Sequence, residues 1–246
     1  MNIVITGASS GLGLGMARQF AASGHSLALC ARRIETLLDI QHQLARDFPG
    51  IHVVVRALDV TDYAQVFEVF RGFQNELKHI DRVIVNAGLG KGQPLGIGRF
   101  KANLATAETN FIGALAQCEA AMEIFRSQGR GHLVTVSSMS AFRGLPKARL
   151  TYAATKAALA SISEGLRIEC RGTAIKVTTL FPGYIRTEIN SFAKKLPFEV
   201  DEVTGCKAMV EAIEREVAEA CVPAWPWALF RYIMKAAPDS VLARMV

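Results

Sequence analysis

Ile3-Val4-Ile5-Thr6-Gly7-Ala8-Ser9-Ser10-Gly11-Leu12-Gly13 decides the fold of this chain. Three β-branched apolar residues read as a buried strand, and beyond the glycines Met16, Ala17, Phe20 and Ala21 recur at helical spacing. Strand, glycine turn and helix N-terminus together make a cradle for a pyrophosphate. The glycines allow a tight turn and close approach, and the helix end supplies amide donors and positive dipole. The spacing is GxxxGxG, and the turn that it spans, with Gly7, Ser9, Ser10, Gly11, Leu12 and Gly13, is the expected place of cofactor contact.

The next strand, Ser26 to Cys30, ends in Ala31-Arg32-Arg33. In a dinucleotide fold this strand end meets the adenosine ribose. An acid there would bind the 2′-hydroxyl and none is present; Arg32 and Arg33 can hold a 2′-phosphate instead. A polar helix from about Ile34 to Phe48 breaks at Pro49-Gly50. A strand from Ile51 to Val55 then leads to Asp59-Val60, with Thr61 as the expected N-cap of the helix carrying Val66, Val69 and Phe70.

Asp81 to Val85 is a fourth strand, followed by Asn86-Ala87-Gly88 and a glycine-rich loop. A long helix is expected from about Leu104 to Ser127. It holds Asn110 among apolar residues, and a buried asparagine needs partners. Strand His132 to Val136 ends in Ser137-Ser138, and strand Ile175 to Leu180 runs into Phe181-Pro182-Gly183-Tyr184-Ile185-Arg186-Thr187. A helix around Glu202 to Ala220 and a short strand near Cys221-Val222 complete the series.

Strands alternating with helices predict an α/β fold with a doubly wound parallel sheet, Rossmann-like. Residues 1–223 form one dinucleotide-binding and catalytic domain, and residues 224–246 an apolar helical extension of it. The Gly7 loop, Asp59, Asn86, Ser138 and Pro182-Gly183 all fall just after strands, at the edge where such sheets bind ligands.

Tyr152 and Lys156 stand four residues apart in the alanine-rich run Thr151-Tyr152-Ala153-Ala154-Thr155-Lys156, which should be helical. Residues i and i+4 share a helix face. A phenol titrates near about 10, and a neighbouring ammonium favours its ionised form, moving it toward the range of a general acid–base group.

Lys and Arg number 28 and Asp and Glu 22, so the net charge is +6. The charges are scattered, which disfavours nucleic acid as a partner, while a mild positive field suits an anionic small molecule. Cys30, Cys118, Cys170, Cys206 and Cys221 are odd in number and far apart, which points to a reducing, cytoplasmic setting. The histidines lack ligand spacing, so no metal is expected. The chain opens directly on a buried strand, so no secretory leader is expected, and no apolar run reaches the ~20 residues of a membrane span.

Taken together, TGASSGLG (Thr6 to Gly13), Asp59-Val60, Asn86-Ala87-Gly88, Asn110, the serine pair, Tyr152 to Lys156, and Pro182-Gly183 with Thr187 resemble the short-chain dehydrogenase/reductase family in its compact form. The resemblance implies that Tyr152 is the general acid–base. Lys156 would lower the tyrosine pKa and hold the nicotinamide ribose. Ser138 would bind the substrate oxygen, an electrostatic role, and Asn110 would hold a water relaying protons through Lys156. Pro182, Gly183, Ile185 and Thr187 would border the nicotinamide. The family serine usually lies one residue nearer its tyrosine than Ser138, which is fourteen before Tyr152, and one further than Ser140, which is twelve before. Ser138 is preferred because it is the second serine after the strand. Ala31 stands where NAD-using members often carry an acid and Arg32 where NADP-using members carry a base, so the implied cofactor is NADP rather than NAD. The family is often dimeric or tetrameric through the helices near residues 104–127 and 151–170.

The expected function is hydride transfer between NADP(H) and the carbonyl or alcohol carbon of a small apolar substrate. The alternative is an idle NADP-binding sensor or scaffold. Substrate choice is expected from the Gly88–Gly98 loop, the Met139–Leu150 loop and the region after Thr187, with Phe142, Leu145, Phe192, Leu196 and Phe198 as an apolar pocket or as core. Ala224 to Met234 holds both tryptophans and one charge, Arg231, with Lys235 and Arg244 after it. That composition suits an interfacial anchor touching a membrane, a lid over an apolar substrate, or a helix packed on its own domain or an oligomer interface.

Overall fold

The β-branched runs become parallel strands: β1 Asn2–Thr6, β2 Ser26–Ala31, β3 Val53–Ala57, β4 Arg82–Val85, β5 Arg130–Val136, β6 Ala174–Pro182 and β7 Glu219–Val222. They form one sheet in the order β3-β2-β1-β4-β5-β6-β7. The computed structural model describes residues 1–187 and 196–245, with side chains through residue 242. The helices are α1 Gly11–Ala22, α2 Ile34–Asp47, α3 Tyr63–Leu77, α4 Phe100–Ala107, α5 Gly113–Gln128, α6 Leu150–Glu169, α7 Glu202–Glu214, α8 Ala224–Ala236 and α9 Asp239–Met245.

Side chains alternate across the strands, so each strand feeds two cores. Val4, Val83 and Leu133 face one side and pack with Phe70 and Phe73 of α3 and Phe125 of α5. Ile3, Ile5 and Leu29 face the other and meet Phe20 of α1, Leu37 of α2 and Met209 of α7. The chain moves outward from β1 to β3, then crosses back to β4 on the far side of β1. That reversal opens a crevice at the carboxyl ends of the two strands, where ligands bind in such sheets.

Some boundaries differ from expectation for identifiable reasons. β3 begins at Val53 because its register sets Val53 opposite Leu27 of β2, which leaves Ile51 and His52 in the approach. The cap of α3 is Asp62, which accepts from Gln65 N at 3.1 Å. Thr61 instead gives its amide and hydroxyl to Asp59 at 3.0 and 2.8 Å. The single helix expected over 104–127 is two, α4 and α5, joined by a π turn at Glu108–Ile112. The helix expected to reach Ala220 stops at Glu214.

The opposite, amino-terminal edge of the sheet carries a buried polar set. Arg82 is 1% exposed. Its Nε donates to His132 Nδ1 at 2.9 Å and its guanidinium pairs with Glu214 at 2.6 Å. Thr178 donates its one hydroxyl proton to Val217 O at 2.6 Å, so its oxygen accepts from His132 Nε2 at 2.9 Å. These partners fix a neutral imidazole protonated on Nε2. Burial, then the charge of Arg82, pushes the His132 pKa down to about 3.

Candidate active site

The glycine turn is locked to the strand beside it. Thr6 Oγ1 accepts from the amides of Asn86 and Ala87, both at 3.0 Å. Asn86 Nδ2 donates to Thr6 O at 2.9 Å. Gly7 has φ +65°, and a Cβ on it would stand 2.9 Å from Ala87 Cα, so only glycine makes this approach. Gly7, Ser9, Ser10, Gly11 and Leu12 line one long cleft of about 1150 Å³. Gly13 does not line it: a Cβ there would lie 2.3 Å from Gly7 O, so its role is to let α1 pack onto the turn.

At the end of β2, Arg33 lies across the turn. Its Nη2 donates to Ser10 Oγ at 2.9 Å and Ser9 Oγ at 3.1 Å, and its Nε to Ser9 Oγ at 3.3 Å. Arg32 stands nearer Asp59. Burial works against the Asp59 charge, but the amide and hydroxyl of Thr61, with the charge of Arg32, hold its carboxyl below its ordinary range. Arg32, Arg33, Asp59 and Val60 all face the cleft, as do Asn86, Ala87 and Gly88.

The candidate catalytic residues Ser138, Tyr152 and Lys156 meet where β5 and α6 touch. Ser137 Oγ donates to Lys156 O at 2.8 Å and pins helix to strand. Lys156 is buried, and its Nζ donates to Val136 O at 2.8 Å. Burial pulls its pKa down to about 8. The ammonium lies 5.7 Å from the centre of the Tyr152 ring. Tyr152 is half-buried by surface area but closely walled in. The resemblance implied a lowered tyrosine pKa; burial instead raises it, and the pull in the other direction comes from a hydrogen bond with Ser138. A charge 5.7 Å from the ring does not offset the enclosure of the phenol.

Ser138 and Ser140 both line the cleft, and they differ in their contacts. The Ser138 hydroxyl meets the phenol and accepts from Ser140 N at 3.2 Å, capping a short 3₁₀ turn at Met139–Phe142. Ser140 has its Oγ buried and without a hydrogen-bond partner among the described residues.

Asn110, on the π turn, is also off the cleft wall. Its Oδ1 accepts from Leu89 N at 2.6 Å and its Nδ2 donates to Leu89 O at 2.8 Å. Its side chain therefore holds the backbone that leaves Gly88. A Cβ on Gly88 would lie 3.5 Å from Asn110 Oδ1 and 3.6 Å from Lys156 Nζ, so the three are neighbours.

Beyond Tyr152 the cleft turns apolar. Leu145, Leu196 and Phe198 line it, joined by Met139, Trp227 and Met234. Phe142 packs on Phe181 instead, with ring centres 4.5 Å apart, and Phe192 lies outside the described residues. Pro182, Gly183, Ile185 and Thr187 border the junction. Thr187 covers Gly11, and Ile185 packs over Gly205 into the core. Gly183 is the seat of Trp227: a Cβ there would stand 2.2 Å from the indole nitrogen. The inner face of α8 thus packs on its own domain, as one sequence reading held, while Trp225, Leu229, Tyr232 and Ile233 stay exposed. No described helix is long and apolar enough to cross a membrane.

Sequence reasoning missed Thr6, whose only signal was a hydroxyl directly before the first glycine. Gly92 and Arg149 fall within the two loops expected to set substrate choice, but their meeting at the cleft is made by folding and was not legible in a motif.

Residues 1–197 match the model of the short chain dehydrogenase family. The chain is 48% identical over 242 residues to an uncharacterized oxidoreductase of Mycobacterium tuberculosis, covering 98% of this chain and 96% of that one. An uncharacterized oxidoreductase of Myxococcus xanthus is 33% identical, with 96% and 92% covered. An alcohol dehydrogenase from the archaeon Thermococcus sibiricus, complexed with 5-hydroxy-NADP, superposes with a TM-score of 0.80 at 26% identity over 89% of this chain and 94% of its own. A short chain dehydrogenase/reductase from Burkholderia phymatum in complex with NAD reaches 0.84 at 20% identity, with 99% and 94% covered, a likeness of fold.

Proposed function

The chain belongs to the short chain dehydrogenase family of oxidoreductases, and from that premise we propose that it reduces a carbonyl, or oxidises the matching alcohol, of a small apolar substrate with NADP(H). The observation that carries this is the single cleft that joins Arg32 and Arg33 at one end to Ser138, Tyr152 and Lys156 and then to an apolar end. The residues fit a dinucleotide: Gly7 and Gly11 line the cleft at the amino end of α1, and Arg33 already holds the hydroxyls of Ser9 and Ser10 where a phosphate would sit. NADP is favoured over NAD because two guanidinium groups and no free acid stand at the end of β2. The archaeal neighbour, at 26% identity, was solved with an NADP derivative.

When bound, the nicotinamide would supply or accept the hydride. Ser138 would hold the substrate oxygen, and the Tyr152 phenol would give that oxygen its proton in reduction and take it back in oxidation. Lys156 would stabilise the phenolate that remains. Asn110 acts through the backbone it holds at Leu89; a relayed water there is part of this proposal. Homodimers or homotetramers would form through α4–α6, where Leu104, Leu115 and Ile168 are exposed.

The test is steady oxidation of NADPH and NADH with a panel of aldehydes and ketones, and the reverse with alcohols, Tyr152→Phe serving as control. Turnover with NADPH that the control loses supports the assignment. Tight NADPH binding with no turnover on any carbonyl would favour the idle sensor or scaffold.

A second reading adds peripheral contact with a membrane surface, favoured by the outer face of α8. Trp225 is 76% exposed there, with Leu229, Tyr232 and Ile233 beside it. Tryptophan on an apolar helix that ends in Lys235 is an interfacial composition. Co-sedimentation of the full chain with anionic vesicles, lost in Trp225→Ala/Leu229→Ala, would support it; no co-sedimentation would remove it.

A further inference from the structure

Two stretches that meet at the mouth of the cleft carry cations and no acids. No Asp or Glu occurs between Asp81 and Glu108, or between Glu123 and Glu164. Within these stretches Lys91, Lys147 and Arg149 are exposed, and among the described residues none of the three is in an ion pair.

One contact brings them together. Gly92 lies so close to Ala148 that a Cβ on it would stand 2.3 Å from the Ala148 carbonyl oxygen. Lys91 precedes Gly92, and Lys147 and Arg149 flank Ala148. Asn103 braces the junction, its Oδ1 accepting from Gln93 N at 2.8 Å and from Thr151 Oγ1 at 3.1 Å. Gly90, Gly92, Ala148 and Arg149 line the cleft itself, and Arg99 and Lys101 add positive charge on the α4 side.

Like charges on neighbouring stretches repel, and among the described residues no ion pair neutralises Lys91, Lys147 or Arg149. Such a rim raises the local concentration of anions at the cleft mouth, and a guanidinium can grip a phosphate or carboxylate with two parallel hydrogen bonds. The apolar part of the same cleft is lined by Trp227, Phe230 and Met234. We propose that the substrate is an amphiphile: an apolar carbonyl compound whose body lies against these residues and whose phosphate or carboxylate is held by Lys91, Lys147 and Arg149. This rests on the reductase reading for its chemistry, but the binding stands apart from it.

Binding without chemistry is measured first, by calorimetry on the full chain with and without NADPH, using decyl phosphate, decanoate and decanol. The anions should bind tighter than decanol by about one to two decades, the increment of a charge-assisted hydrogen bond, and the advantage should shrink in salt. Decyl phosphate against decanoate tells phosphate from carboxylate. In Lys147→Glu/Arg149→Glu the advantage should vanish; Arg149→Gln, with a smaller loss, serves if the double variant does not fold. A second measurement is the kcat/KM ratio of a medium-chain keto acid over its methyl ester, which should fall by a similar factor in the same variants. Equal binding of decanol and the anions, or variants that leave both ratios unmoved, would overturn the inference. Anion binding without turnover of any carbonyl would instead sink the reductase reading and leave this one standing.

Discussion

Lys156 Nζ is tied to the Val136 carbonyl by a 2.8 Å hydrogen bond. The ammonium is therefore positioned by the end of β5 and needs no ligand to orient it. The tyrosine beside it is held neutral by burial. The resting pair at neutral pH is a charged lysine next to a protonated phenol, the state that the proposed reduction requires.

That pairing has a pH consequence. With its pKa pulled down to about 8, Lys156 is charged below that value and neutral above it. Reductive kcat/KM should hold level from about pH 6.5 to 7.5 and fall as pH rises through about 8, since this parameter reports the free enzyme's groups. A profile that stays flat to pH 9.5 would contradict it.

Tyr152→Phe keeps the ring and removes the proton donor. Turnover should fall by about 10²–10⁴-fold, while NADPH affinity, read by fluorescence titration, stays within a factor of about three.

Arg33, rather than Arg32 alone, should carry the preference for the 2′-phosphate. Arg33 already reaches Ser9 and Ser10, and Arg32 faces Asp59. Arg33→Ala should weaken NADPH by about one to two decades and NADH by far less. Equal losses for both cofactors would indicate that the arginine merely shapes the turn.

Gly183→Ala puts a methyl group 2.2 Å from the Trp227 indole. Overpacking of this kind costs about 1–3 kcal/mol, so urea unfolding should show a lower midpoint. Because Gly183 also borders the cleft, KM for an apolar substrate should rise. Gly183→Ala/Trp227→Leu should recover the midpoint.

His132 sets an acid limit on stability. Its folded pKa, about 3, lies below the unfolded value of 6.5. A lowered pKa gives stability that is complete above the unfolded value and lost as pH falls from about 6.5 toward 3, at up to ~1.4 kcal/mol per pH unit. Gln in its place keeps a donor and an acceptor without titrating. Urea midpoints of wild type should therefore drop toward those of His132→Gln between about pH 6.5 and 4; parallel curves would show that His132 stays out of acid unfolding.

The sheet was legible because β-branched runs separated by helical spacing leave little choice of layer. Part of the candidate cleft was legible because the Gly7 turn, Asp59, Asn86, Ser138 and Pro182-Gly183 follow strands, whereas Tyr152 and Lys156 lie on α6 and Asn110 on the π turn. Other features depend on packing that local pattern does not encode. Thr61 looked like a cap, but Asp62 had the geometry, and Asp59 took both donors of Thr61. Gly13 belonged to the motif, yet its small size serves the approach to Gly7. The lowering of the Tyr152 pKa was inferred from one neighbour, and burial outweighed it. The meeting of Gly92 with Ala148 joins residues far apart in the chain, and no spacing announces it.

The π turn at Glu108–Ile112 acts as a phase marker. A regular helix turns about 100° per residue, so a one-residue deletion here would turn Asn110 away from Leu89 or rotate every side chain of α5 against the sheet. The length of this segment is consequently fixed even where its residue types are not. Insertions that the nearby Gly88–Gly98 loop absorbs should be intolerable a dozen residues later.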